Sequence, residues 1–262
     1  MQSKIRVDKR PAFIRCWQAW SELWTGGSQK AISGFRRQRP VTSGNDLPRL
    51  RRILEAGHPG RLRLALVGDS ISEITDKWYG GASRPENNWG AVLARLLERA
   101  HAGLSVDLRN FGIGGQNTYE GLGRIHELEP FKPDLVLLAF GANDCAYHFL
   151  IPEETYLALA NMIHTVRSRF GADVVAVGTA GDNPLKPFFR HLDQTLAAQR
   201  RAARQRGAPF TDVRAAILEA TENGMKWAAY HLDEKNCHPN DNGHAVWAQA
   251  AFETIHRSLA RP

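Results

Sequence analysis

From about residue 61 the chain alternates two kinds of segment: short runs that are apolar at nearly every position, and longer stretches whose apolar residues recur at helical spacing. The short runs are "LRLALVG" (62–68), "SVDLRNFG" (105–112), "DLVLLAFG" (134–141), "DVVAVGT" (173–179) and a weaker "PFTDV" (209–213). Between them, residues 87–101, 118–129, 152–170 and 186–207 carry the helical pattern. Pro152 followed by Glu153 and Glu154 reads as a helix start, and Gly171 and Gly207 as stops. Strands that are apolar throughout have both faces covered, so the alternation predicts a five-stranded parallel sheet between two layers of helices. In such a sheet, functional side chains gather just past the carboxyl ends of the strands.

Residues 1–60 are patterned differently. Phe13, Trp17, Trp20 and Trp24 follow one another at steps of four, three and four, which puts four aromatics on one face of a helix. A Gly/Ser/Arg-rich stretch, "TGGSQKAISGFRRQRPVTSGND", follows. The expected organisation is a helical and irregular arm over 1–60 and one catalytic-size domain over 61–262, with no internal repeat. Charge sharpens the division. The net charge of the chain is +7, yet residues 1–60 alone hold twelve Lys/Arg against four Asp/Glu, so the remainder is almost neutral. The basic, aromatic segment 10–24 suits packing on the domain, a contact between copies of the chain, or an interfacial helix on an anionic membrane surface. No recognisable nucleic-acid module accompanies the charge, so no specific nucleic-acid partner is expected.

With 262 residues, 43% of them hydrophobic, the chain has enough apolar material for a full core. Cys16, Cys145 and Cys237 are too few and too scattered for a disulfide framework or a zinc ribbon. No apolar run is long enough to cross a bilayer, and the first twenty residues lack an apolar signal core, so the expected location is cytoplasmic, peripheral to a membrane if the arm binds one.

Each predicted strand ends in a polar cluster: Gly68-Asp69-Ser70 after the first, "NFGIGGQNT" (110–118) after the second, "FGAND" (140–144) after the third. "CHPNDNGH" (237–244) precedes the last helix. Singly these have ordinary explanations. Ser70 could cap a helix, Gly112, Gly114 and Gly115 could serve a turn, Asn143 and Asp144 could start a helix, and His238 could lie on a surface loop. "GIGG" is neither a dinucleotide fingerprint nor a phosphate loop.

Taken in order, the four clusters resemble the SGNH/GDSL hydrolase family, and the resemblance covers about 200 residues, 61–262. It implies a flavodoxin-like α/β/α sandwich and a cofactor-free and metal-free carboxylic ester hydrolase. In it Ser70 is the nucleophile, His238 the general base, and Ser70, Gly115 and Asn143 the oxyanion-hole donors. Small-acyl esters of saccharides or lipids are the implied substrates. A serine hydroxyl needs such company, because at neutral pH it is a poor nucleophile until a histidine accepts its proton, and the oxyanion that then forms needs preorganised donors.

One position departs from the family. The aspartate expected three residues before the histidine, which orients the ring, is here Lys235, and an ammonium cannot accept a hydrogen bond. Asp233 or Glu234 could reach the ring through a shifted loop, a backbone carbonyl or water could orient it, or catalysis could be impaired. Asp241 and His244 also have the three-residue spacing, but "HPNDNGH" aligns with His238 first. A thioesterase or acyltransferase would use the same residues, and a weakened, ligand-binding version of the fold is the alternative that Lys235 motivates. A Cys237–His238 dyad and a metal site from His231, Cys237, His238 and His244 both leave the Ser, Gly and Asn clusters unexplained. The loop Trp78-Tyr79-Gly80-Gly81 is a wall of the site or a plain surface loop.

Overall fold

The computed structural model describes residues 46–56, 60–73, 84–146 and 150–260. The aromatic stripe at 10–24 and the loop at 78–81 lie outside the described residues. Five strands, β1 (Gly60–Gly68), β2 (Leu104–Gly112), β3 (Leu135–Ala139), β4 (Asp173–Val177) and β5 (Phe210–Thr211), form a parallel sheet in the order β2-β1-β3-β4-β5. The described helices are α1 (Pro48–Glu55), α2 (Ser70–Glu73), α3 (Trp89–Ala100), α4 (Thr118–Gly123), α5 (Ala142–Ala146), α6 (Pro152–Thr165), α7 (Leu192–Gln205), α8 (Val213–Ala220) and α9 (Asp241–Leu259).

Strand alternation splits the core in two. Leu62, Leu64 and Leu66 of β1 point with Leu135, Leu137 and Val175 to one side, where Trp89 and Leu93 of α3 and Trp247 and Ile255 of α9 cover them. Ala65 and Val67, with Val136, Leu138, Val174 and Ala176, point to the other, against Leu159, Met162 and Ile163 of α6 and Ala202 and Ala203 of α7. Every residue of β3 and β4 is buried, as strands covered on both faces require, while the edge strand β2 is mostly half-exposed. The architecture is the three-layer sandwich that the strand pattern predicts. Among the described residues no helix is long and apolar enough to cross a membrane.

Local departures have local causes. The predicted 118–129 helix divides into α4 and a tighter turn at Ile125–Leu128, and the 152–170 helix widens in its last turn, Val166–Phe170, before stopping at Gly171, whose φ is +61°. The fifth strand pairs over two residues only. Helix α1, in a stretch that reads from sequence as part of the arm, packs instead on the start of the sheet. Leu47 and Leu50 are fully buried, and the Asp173 carboxylate accepts the Leu50 N–H (2.8 Å) at the open first turn of the helix. Beside it the Asp134 carboxylate accepts from Arg63 N, Nε and Nη2 (2.9, 3.0 and 2.9 Å) and from Arg49 Nε (2.7 Å).

Burial pushes Asp134 up, but its bonds to Arg63 and Arg49 outweigh that and hold the carboxyl below its ordinary value. Its stabilising contribution is therefore present above the usual carboxylate range and is lost as pH falls through the lower, folded-state value. Asp134→Ala should cost about 2 kcal/mol in urea unfolding at neutral pH, since it strands two partly covered guanidinium groups. The gap to wild type should close as the pH falls below that of an ordinary carboxyl group.

Candidate active site

β1 ends at Gly68, and α2 begins two residues later. The turn is made by Asp69: its carboxylate accepts the Ile71 N–H (3.0 Å), and its carbonyl accepts those of Ser72 and Glu73 (3.0 and 2.9 Å). Asp69 thus takes the capping part that the sequence leaves open to Ser70. The Ser70 hydroxyl lies 2.8 Å from Nε2 of His238, across 168 residues of sequence.

His238 sits on a tight loop before α9, closed by an antiparallel bridge between His231 and Pro239 and by a bond from Leu232 N to His238 O (3.1 Å). Its Nδ1 is 2.8 Å from Oδ1 of Asn236, and the same Oδ1 is 2.9 Å from the backbone nitrogen of His238. A backbone N–H can only donate, so the Asn236 atom facing it is the amide oxygen, and Nδ1, facing that oxygen, is the protonated ring nitrogen. Nε2 then carries the lone pair and accepts the Ser70 hydroxyl proton. Burial lowers His238 to about 4, so the ring is neutral at physiological pH.

The loop after β2 is fastened on both sides. Asn110 and Asn88 both donate to the Ser72 carbonyl (2.6 and 2.7 Å), and Glu73 accepts the Gly114 N–H (2.7 Å). Gly115 has φ +83°, and a Cβ there would meet nothing within 4 Å, so glycine is required by backbone rotation and not by crowding. After β3, Asn143 in α5 donates from Nδ2 to the Gln116 carbonyl (2.9 Å), which fixes the nitrogen end of its amide and leaves a second N–H for another acceptor. Its neighbour Asp144, fully buried, accepts from Thr118 N and Oγ1 (3.1 and 2.6 Å) and from Thr155 Oγ1 (2.9 Å). These bonds strap the Gly115 loop to α5 and α6. The buried Arg124 closes the third side, donating to the Gly68 carbonyl (3.2 Å) and to Gln116 Oε1.

The structure therefore brings Ser70 and His238 into direct contact and ties the Gly115 and Asn143 segments together beside them. It does not bring Asp233 or Glu234 to Nδ1 in the contacts these residues make. Asp233 accepts the Lys235 N–H (2.7 Å) and turns the chain, while Glu234 faces Asn183 (3.4 Å) and Lys186 (3.7 Å). The atom 2.8 Å from Nδ1 is Oδ1 of Asn236, a residue that the sequence reading does not name. Asp241 accepts from Asn87 (2.6 Å), and His244 is fully buried in α9. Cys237 Sγ is 3.8 Å from Nδ1 of His238, on the ring edge turned from Ser70, and burial pushes its thiol up to about 12. Among the described residues no group of three His, Cys, Asp or Glu is placed to hold a metal ion. Asn236, Arg124 and Asn88 lie outside the four sequence clusters, whereas Asp144 belongs to "FGAND" but reads there only as a helix start. For Asn236 the available signal was an amide two residues before a histidine, the spacing of a side-chain-to-backbone turn.

The sequence model of the GDSL-like lipase/acylhydrolase family matches residues 66–246. An arylesterase of Vibrio mimicus is 34% identical over 125 residues, which are 47% of this chain and 56% of that protein, so the match spans little more than half of the relative's length. An acetylxylan esterase from Geobacillus stearothermophilus superposes with a TM-score of 0.61 at 22% identity, covering 77% of this chain and 95% of that one. A two-domain esterase active on acetylated mannans superposes with a TM-score of 0.65 at 20% identity, covering 86% and 57%. At these identities the two superpositions establish a shared fold. With the family match running over more than half of its residues, the chain belongs to the GDSL-like lipase/acylhydrolase family.

Proposed function

We propose that this protein is a serine ester hydrolase that removes small acyl groups, acetyl foremost, from saccharide or lipid esters through an acyl-enzyme on Ser70. The observation that carries the proposal is the 2.8 Å contact from Ser70 Oγ to an Nε2 whose lone pair is assigned by the Asn236 contact on the opposite nitrogen. Esters are the substrate class suggested by the names of its relatives, an arylesterase and two esterases of acetylated polysaccharides.

In this mechanism Ser70 Oγ attacks the ester carbonyl carbon while its proton passes to His238 Nε2. The carbonyl oxygen becomes an oxyanion held by the backbone N–H groups of Ser70 and Gly115 and by the second Nδ2 proton of Asn143. The intermediate collapses, the C–O bond to the alcohol breaks, and the proton on Nε2 leaves with the alcohol. Water then attacks the acyl-serine, gives its proton to Nε2, and the acid departs as Ser70 Oγ regains the proton. Preorganisation is supplied by Asp144, Arg124 and Glu73, whose bonds hold the Gly115 loop in place before substrate arrives.

Hydrolysis of p-nitrophenyl esters from acetate to octanoate, and of acetylated xylo-oligosaccharides, tests the reading. Acetate should be turned over fastest, and Ser70→Ala should abolish turnover. Turnover that survives in Ser70→Ala refutes the serine mechanism, and a maximum at octanoate refutes the small-acyl assignment. Asn143→Ala should lower kcat by roughly a hundred- to a thousandfold, the usual worth of one oxyanion donor, with KM little changed.

The pH profile follows from His238. A histidine lowered to about 4 stays in its basic form as the acidity rises through the ordinary histidine range, so kcat/KM should hold below pH 6 and fall only on approach to pH 4. An acid limb near 6.5 would show that the ring is not desolvated in the working enzyme.

A further inference from the structure

We propose that Asn236 is the positioning residue for His238, its neutral amide oxygen acting where the SGNH/GDSL resemblance implies a carboxylate; this rests on the serine-hydrolase reading above. Three sets of contacts carry it. Oδ1 of Asn236 receives both the ring Nδ1–H and the backbone N–H of His238, at 2.8 and 2.9 Å, so one atom fixes the ring and the peptide that bears it. The backbone of Asn236 is held in turn: its carbonyl accepts the indole N–H of Trp227 (2.8 Å), and its N–H donates to the Asp233 carbonyl (3.4 Å). Trp227 is fully buried and stacks on His231 with centroids 3.7 Å apart and planes 2° apart, so the support reaches into the core. Lys235, at the position implied for aspartate, is exposed on the outside of the turn that Asp233 closes. The chain thus presents the side chain two residues before the histidine to the ring, and not the one three before.

The chemistry differs from that of a carboxylate in one respect. As the Ser70 Oγ–H bond breaks and the Nε2–H bond forms, the Nδ1 proton stays on Nδ1 and its bond to Oδ1 strengthens, and at this nitrogen the new imidazolium meets a dipole in place of a charge. Orientation and tautomer are secured as a carboxylate would secure them, whereas the base strength that a full negative charge adds is absent from this contact. The titratable groups around the ring are Cys237, at 3.8 Å; His231 and His244, each of which feels the His238 charge; and Asp233, Glu234 and Lys235 on the same turn. Asp69, beside Ser70, acts on Cys237 from the β1 side.

The test compares Asn236→Ala, Asn236→Asp and Ser70→Ala with wild type on p-nitrophenyl acetate, with melting temperatures measured in parallel. Asn236→Ala should lose about a hundredfold in kcat with KM close to wild type, the cost of a misdirected base. Asn236→Asp keeps both acceptor contacts; it should retain the wild-type kcat or exceed it and move the acid limb of kcat/KM upward by about one to three pH units. A merely structural asparagine would not move that limb. The proposal is overturned if a folded Asn236→Ala keeps kcat within about threefold of wild type, or if Asn236→Asp leaves the limb where it was. Should the alanine variant fail to fold, the aspartate variant decides alone. Turnover in Ser70→Ala would instead remove the serine reading, whatever the Asn236 variants do.

Discussion

One row of backbone partners crosses the whole sheet: Gly112 of β2 beside Gly68 of β1, Gly68 beside Ala139 of β3, Ala139 beside Val177 of β4, and Val177 beside Thr211 of β5. Neighbouring strands lie about 4.8 Å apart, so a common last row sets the loops after β1, β2 and β3 side by side. The two glycines in that row are there because α2 folds back over the strand ends. A Cβ on Gly68 would sit 2.4 Å from Ser72 Oγ and 2.6 Å from the Ala139 carbonyl, and one on Gly112 would sit 2.6 Å from the Glu73 nitrogen. Close approach at these two positions is what lets Ser70 stand at the crossing of three loops. Because β2 and β3 flank β1 on opposite sides, this crossing is also the point where the chain direction across the sheet reverses.

Polar burial then does what packing alone cannot. The loops past the strand ends carry Asp69, Asp144 and Arg124, all almost completely buried; Asp69 closes its own turn, while Asp144 and Arg124 are each tied to more than one segment. Burial raises Asp69 to about 7, raises Asp144, and lowers Arg124, so all three bear a desolvation cost. That cost is offset by bonds a side chain of another type could not make together, such as Asp144 accepting both Thr118 donors and the Thr155 hydroxyl. The return is a Gly115 loop fastened on several sides, as the oxyanion donor proposed for it would require.

Much of this was legible in the sequence. Apolar runs and helical spacing gave the sheet and its two covering layers, because β1, β3 and β4 are buried on both faces and their composition says so. The Ser70 and His238 clusters stood out only through their joint order along the chain, which resembles that of the SGNH/GDSL family, since each alone has an ordinary reading as a cap or a loop. Helix α1 was not, since "PRLRRILE" is mostly arginine and leucine with no polar N-cap, and its first turn is satisfied by Asp173 from 123 residues away. β5 was barely legible because two paired residues cannot show a period. Asn236 was not legible for a different reason: the sequence reading offers Asp233, Glu234, a backbone carbonyl or water as the orienting acceptor, whereas a side-chain amide serves the ring equally well, and the Asp233 turn brings the amide two residues before the histidine to it.

The choice of an amide also follows from the company it keeps. Asp69 and Asp182 are both buried, and both act on the thiol of Cys237, the residue adjoining His238. Asp144 lies close enough to Asp69 to raise it further. Another carboxylate packed against the ring would add an anion to an interior that already disfavours those present, and like charges in low dielectric repel strongly. An asparagine gives the ring its acceptor and the peptide its turn without adding charge. What it forgoes is base strength, and a histidine that burial keeps neutral is already in the form the first proton transfer requires.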